Sequence, residues 1–187
     1  MIEKQKIIDY IRKKGILQFG EFILKDGSKS TFFITTGKFD DGEVLSLLSN
    51  AYTEKIIKDI GTDTFDHIYG PSYKGISIAA TICQKLYEKY DINKRWGYDR
   101  KKEKYHGLDK EKFLIGDLRS GDRVLIIDDV LTTGKTKIEQ KEKLEKLVKN
   151  LIFVGVLVLI DRSKGKNILN ESGLKLYSVL TLKDLGL

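Results

Sequence analysis

The sequence predicts an α/β domain with a mainly parallel central sheet flanked by helices and a small hood element at its N-terminus. Three observations carry this. Beyond the first 40 or so residues, strand-like apolar runs alternate with helix-like amphipathic ones. The run "LIFVGVLVLI" reads as a strand buried on both faces, as central parallel strands are. No repeat or Pro/Gly/Ser-rich linker divides the 187 residues, so one domain spanning 1–187 is expected, with about 1–40 as the hood.

Each element has a local cause. Residues 2–14 place Ile7, Ile8 and Ile11 on one helical face, and Gly15 supplies the stop. "ILQFGEFIL" and "STFFITT" read as a hairpin joined by the polar turn "KDGSK". Asp40 or Asp41 caps the next helix, where Val44, Leu47, Leu48, Ala51 and Tyr52 share a face. "TFDHIY" is a short strand, "GPSYKG" a turn, and residues 76–90 a helix with Ala79, Ile82, Cys83 and Leu86 buried. "RWGYD" and "RVLII" are strands. Residues 135–150 form a charged helix with Ile138, Leu144, Leu147 and Val148 inward, and "LKLYSVLTL" supplies the last strand. His67 falls inside a strand and reads as structural.

Composition excludes some functions. No apolar run approaches the ~20 residues that a membrane span needs, and the charged N-terminus lacks a signal-peptide core. Cys83 is the single cysteine, so no intramolecular disulfide forms, and a reducing cytoplasmic setting is expected. The net charge of +7 favours acidic partners without choosing among them. The "KTKIEQKEKLEKLVKN" run alternates Lys and Glu at helical spacing. It reads as a solvated amphipathic face, so neither nucleic acid nor membrane is an expected partner.

In parallel sheets ligands gather beyond the carboxyl ends of the strands. Four polar stretches fall there: "GPSYKG", the segment from Arg100, "DDVLTTGKT" and "DRSKGK". The third is the most specific. Asp128 and Asp129 are followed by Val130, Leu131, Thr132, Thr133, Gly134, Lys135 and Thr136 and then a helix, the layout of a phosphate cradle at a helix N-terminus. It lacks Walker A spacing. Carboxylates one sugar's length before such a cradle suit ribose hydroxyls and a developing ring cation.

"VLIIDDVLTTGKT" resembles the phosphoribosyl-diphosphate (PRPP) motif of type I phosphoribosyltransferases. "FGEFILKDGSKSTFF", "YGPSYKG", "DRKKEKYHG" and "IDRSKGK" resemble, in that order, stretches of the orotate phosphoribosyltransferases. The resemblance implies the type I phosphoribosyltransferase fold and transfer of ribose 5-phosphate from PRPP to orotate, in de novo pyrimidine synthesis. Tyr73 and Lys74 then meet PRPP. Arg100, Lys101, Lys104 and His106 belong to a lid that closes over a neighbouring subunit's site, with Lys104, His106, Asp128 and Asp129 catalytic. Residues 130–136 grip the 5′-phosphate. Lys25, Phe33, Ile34, Thr132 and Arg162 receive orotate.

The resemblance also implies Mg²⁺ held mainly by PRPP and water rather than by protein ligands, and a homodimer. Association with the decarboxylase of the next step is left open. After His106–Gly107 the chain departs from close relatives, with Leu108 before Asp109. Two alternatives stand beside the main one: transfer to another base, and a non-catalytic PRPP-fold regulator that binds nucleic acid.

Overall fold

The computed structural model describes residues 2–23, 27, 29–101 and 113–187. Helix α1 (Ile2–Lys13) precedes a two-stranded antiparallel hairpin, β1 (Leu17–Ile23) and β2 (Lys29–Ile34), which together with it form the hood. Helix α2 (Gly42–Lys55) is followed by β3 (His67–Tyr69), α3 (Lys74–Tyr90), β4 (Arg95–Asp99) and β5 (Leu114–Gly116). Then come β6 (Arg123–Leu131), α4 (Lys135–Leu147), β7 (Ile152–Asp161) and β8 (Leu176–Thr181). The six-stranded sheet runs β5-β4-β3-β6-β7-β8, parallel except where β5 pairs antiparallel with β4.

Side chains on a strand alternate between faces, and β6 shows the consequence. Leu125 and Ile127 enter a core shared with α1, α2 and α3. Val124 and Ile126 enter a second core with Leu144 of α4, Leu169 and Leu174. Both faces are therefore covered, which is what the continuous apolar runs of β6 and β7 require. Asp41 caps α2, its carboxylate accepting the Val44 N–H at 2.9 Å. The same carboxylate accepts from the Tyr10 hydroxyl and the Lys14 ammonium, each at 3.0 Å, so the cap also ties α1 to α2.

Three expectations change. Strand β5 was not foreseen; it forms because Gly97 and Gly116 face one another, and a Cβ at Gly116 would lie 2.8 Å from the Gly97 Cα. Helix α4 ends at Leu147, which is 39% exposed, and Val148 is already extended. Strand β6 continues past "RVLII" through both aspartates to Leu131, because Asp128, Val130 and Leu131 pair with β7. The side chain of Leu131 is thus a core group, and only Thr132 to Gly134 make the turn into α4.

Candidate active site

The cradle forms where β6 passes into α4. Gly134 has φ +91°, and a Cβ there would meet the buried Leu169 side chain at 2.8 Å, so both conformation and space require glycine. The segment after β7 braces this turn: the N–H of Arg162 donates to the Leu131 carbonyl at 2.8 Å, and that of Ile168 to the Thr133 carbonyl at 3.0 Å. Thr132, Thr133, Lys135 and Thr136 are exposed around the start of the helix. Hydroxyls, an ammonium and the positive end of a helix converge there, which suits a phosphate.

Asp128 and Asp129 are adjacent in sequence but oppositely directed, because strand geometry sends neighbours to opposite faces. Asp128 turns toward α4, where its carboxylate meets the ammonium of Lys137, and its second oxygen accepts the Asp129 N–H at 2.9 Å. Its carbonyl accepts the Tyr52 hydroxyl at 2.6 Å. Asp129 turns toward α3 and the end of the hood. It accepts the Thr36 hydroxyl at 2.5 Å and the Val130 N–H at 2.7 Å, and pairs with Lys74 at 3.2 Å. The Lys74 ammonium also donates to the Thr36 hydroxyl, which closes a three-membered relay.

Environment separates the two acids. Burial raises the Asp128 carboxyl above its ordinary range, with Lys137 opposing and Asp129 reinforcing that rise. Burial acts on Asp129 too, but the Thr36 hydroxyl and Lys74 outweigh it and hold that carboxyl below its ordinary range. Beside Asp129 lies a cavity of about 190 Å³ whose lining includes Thr36, Lys74, Ser77 and Ile78. A larger hollow of about 410 Å³, between α1 and α2, contains none of the motif residues. We place the site by its chemistry, at the strand ends.

The "GPSYKG" stretch sits beside the acids. Gly70 and Gly75 approach so closely that a Cβ at Gly70 would lie 2.2 Å from the Gly75 carbonyl oxygen. The peptide bond between Ser72 and Tyr73 is cis. Tyr73 is exposed, and the Lys101 ammonium lies 4.2 Å from its ring centroid, a cation–π contact joining this loop to the next stretch. The Arg100 N–H donates to the Phe113 carbonyl at 2.7 Å, so the flanks of that stretch lie together. Asp99, 3% exposed, accepts the Ser72 N–H at 3.0 Å and the Lys143 ammonium at 2.6 Å, while Lys143 also reaches the Arg100 carbonyl at 3.2 Å. Lys25, Lys104, His106 and Asp109 lie outside the described residues.

On the hood side, the Phe33 ring is half-exposed and pairs with Phe22 at 5.5 Å between centroids. The side chains of Phe32 and Ile34 are core groups, so at Ile34 the backbone is the part left to meet a ligand. The Arg162 guanidinium lies 4.6 Å from the Phe32 ring centroid and reaches the Ser30 hydroxyl at 3.5 Å. Thr36, Lys137 and Lys143 were not singled out from the sequence. Thr36 is one of two adjacent threonines and stands in none of the motifs. Lys137 and Lys143 sit in the alternating Lys/Glu run, and that reading is corrected for them: both turn inward to buried or half-buried acids.

Residues 37–169 match the model of the phosphoribosyl transferase domain family. An orotate phosphoribosyltransferase of Agathobacter rectalis is 38% identical over 85% of this chain and 70% of its own length. One of Salmonella newport is 35% identical over 97% of this chain and 86% of its own. The crystal structure of the Francisella tularensis orotate phosphoribosyltransferase superposes with a TM-score of 0.75 at 32% identity, covering 96% of this chain and 84% of that one. An acidic pair at a strand end, a braced cradle beside it and these likenesses lead to one statement: this chain belongs to the phosphoribosyltransferase family, among the orotate phosphoribosyltransferases.

Proposed function

We propose that this protein transfers the 5-phosphoribosyl group of PRPP to orotate, giving orotidine 5′-monophosphate and diphosphate. The observation that carries the reading is the convergence of Asp128, Asp129 and the Thr132–Thr136 cradle with Lys74 and the hood at one end of the sheet. The C1′–oxygen bond to the diphosphate breaks, and its electron pair leaves with the diphosphate. Orotate N1 gives up its proton to water and forms the new bond to C1′ from the opposite face. Asp128 and Asp129 receive the ribose hydroxyls and favour the positive charge that develops on the ring. The cradle fixes the 5′-phosphate. Lys74, Arg100, Lys101 and, from the sequence, Lys104 and His106 answer the growing charge on the leaving diphosphate. Tyr73 flanks it.

Arg162 suits a planar carboxylate, since its fork matches that shape. The Phe33 ring, the Ile34 backbone, Thr132 and Lys25 complete the orotate subsite. Positioning and electrostatics supply the rate, so no covalent nucleophile is needed.

No group of three or more His, Cys, Asp or Glu gathers as a metal cage among the described residues, and each strand-end acid is held by a lysine. These donors fit a Mg²⁺ carried on diphosphate oxygens and water. A Mg²⁺ bound there would neutralise charge on the leaving group. Among the described residues no helix is long and apolar enough to cross a membrane. We propose a cytoplasmic homodimer whose lids are exchanged between subunits; an association with the decarboxylase of the next step remains compatible with this.

Incubation with Mg-PRPP and orotate should bleach the orotate absorbance, while purines in its place should leave PRPP unconsumed. Failure to bleach orotate would overturn the assignment. Mixing Lys104→Ala with Asp129→Asn subunits should restore activity that neither variant shows alone, and no recovery would refute the exchanged lid.

A further inference from the structure

Two lysines meet the strand-end acids, and they do so on different terms. The Lys74 side chain is 55% exposed and can leave Asp129 to follow an incoming diphosphate. The Lys137 side chain is 6% exposed; its ammonium lies on Asp128 and within 3.4 Å of the Thr136 hydroxyl. A buried ammonium is costly unless paired, so Lys137 is committed to Asp128. It comes from the first turn of α4, the helix whose start forms the cradle. The transfer chemistry above gives it no task.

We propose that Lys137 is a positioning residue for phosphoribosyl transfer, acting through Asp128: it fixes that carboxylate in one orientation for the ribose and sets a positive charge against it. This rests on the transfer reading above. The acid pair then has one immobile member, Asp128, with both oxygens engaged, and one exchangeable member, Asp129. Among the described residues the ionisable groups around Asp128 are few. They are Lys137 on α4, Asp129 on its own strand, and the phenols of Tyr52 on α2 and Tyr69 on β3. Of these side chains only Lys137 opposes the rise that burial imposes on the Asp128 carboxyl; the Asp129 backbone N–H, which donates to the other oxygen, helps it. Loss of the ammonium therefore lets Asp128 take up a proton at higher pH.

The test compares wild type, Lys137→Met, Lys137→Arg, Asp128→Asn and the double variant Lys137→Met/Asp128→Asn. kcat and KM for PRPP are measured across pH, with urea unfolding of each. Lys137→Met should lower kcat/KM by about 10-fold or more and move the acid limb up by about one pH unit, the size expected for loss of a close charge partner. Lys137→Arg should keep the wild-type limb and most of the activity. In the Asp128→Asn background, removing Lys137 should change kcat/KM by less than about threefold, because the group it acts through is gone.

An equal loss from Lys137→Met in both backgrounds, or an unmoved acid limb, overturns the proposal. The double variant has no unpaired buried charge. Where Lys137→Met does not fold, the double variant and Lys137→Arg decide: a double variant more than about threefold below Asp128→Asn, or an Arg variant with a shifted limb, overturns it. Where Asp128→Asn does not fold, a shifted limb in Lys137→Arg or an unmoved one in Lys137→Met overturns it. Absence of turnover in the wild type would instead refute the transfer reading itself.

Discussion

Lowering the pH from 7 to 5 should remove about 2 kcal/mol of folding stability through one side chain, His67. The imidazole lies on β3 at 1% exposure. Burial drives its pKa down from 6.5 to about 4, with the Asp122 carboxylate opposing the fall. Because the folded value lies below the unfolded one, the unfolded chain takes the proton first. Stability is full above pH 6.5 and drains as the pH falls toward 4. The whole gap is worth about 3 kcal/mol, of which about 2 kcal/mol falls between pH 7 and 5. Carboxylates held low, such as Asp41 at about 2, start from an unfolded value of 3.8 and act mainly below this window. Urea unfolding of wild type and His67→Leu at both pH values isolates the contribution, since the variant should lose less than about 0.5 kcal/mol over the interval. Equal pH slopes in the two proteins would refute the reasoning.

Other substitutions test the site itself. Thr36→Val keeps the shape but removes the hydroxyl between Lys74 and Asp129. A charge-assisted bond of this kind is worth about 1.5–3 kcal/mol of stability, so urea unfolding should show a loss of that size, and kcat/KM should fall by about 10-fold or more as the two charged groups lose their common partner. Gly134→Ala should cost about 1–2 kcal/mol of stability from its positive φ alone, more from the clash with Leu169, and should raise the KM for PRPP; a silent variant would show that the turn relaxes freely. Lys143→Met removes the cation that links Asp99 to the Arg100 carbonyl, and should lower kcat while leaving the KM for orotate within about twofold.

The amphipathic and doubly buried segments were legible because their periodicity records which faces meet the core. Leu125 and Ile127 against Val124 and Ile126 is that record written in four residues. The "DDVLTTGKT" run was legible because a strand, two acids and a glycine turn are needed together and in order. Three-residue β5 left no periodic trace, since its pairing depends on two glycines lying opposite across sequence-distant backbone. Lys137 and Lys143 were invisible for a different reason. Their spacing matches a solvated face, and only the placement of α4 across the strand ends turns them onto Asp128 and Asp99.

That placement also explains how two like charges tolerate adjacency, and it makes the two acids experimentally unequal. Strand alternation sends Asp128 to a lysine that is almost wholly enclosed and Asp129 to one that is 55% exposed. Asp128→Asn strands the Lys137 ammonium in the interior, and breaking a buried pair from one side costs about 3 kcal/mol or more. Asp129→Asn frees Lys74 to turn to water, and the amide oxygen can still accept from Thr36, so the stability cost should stay near 1 kcal/mol or less. Activity should fall in both. Urea unfolding of the two variants side by side decides the point: equal destabilisation, or a larger loss for Asp129→Asn, would show that the two acids do not divide between a buried and an exchangeable partner.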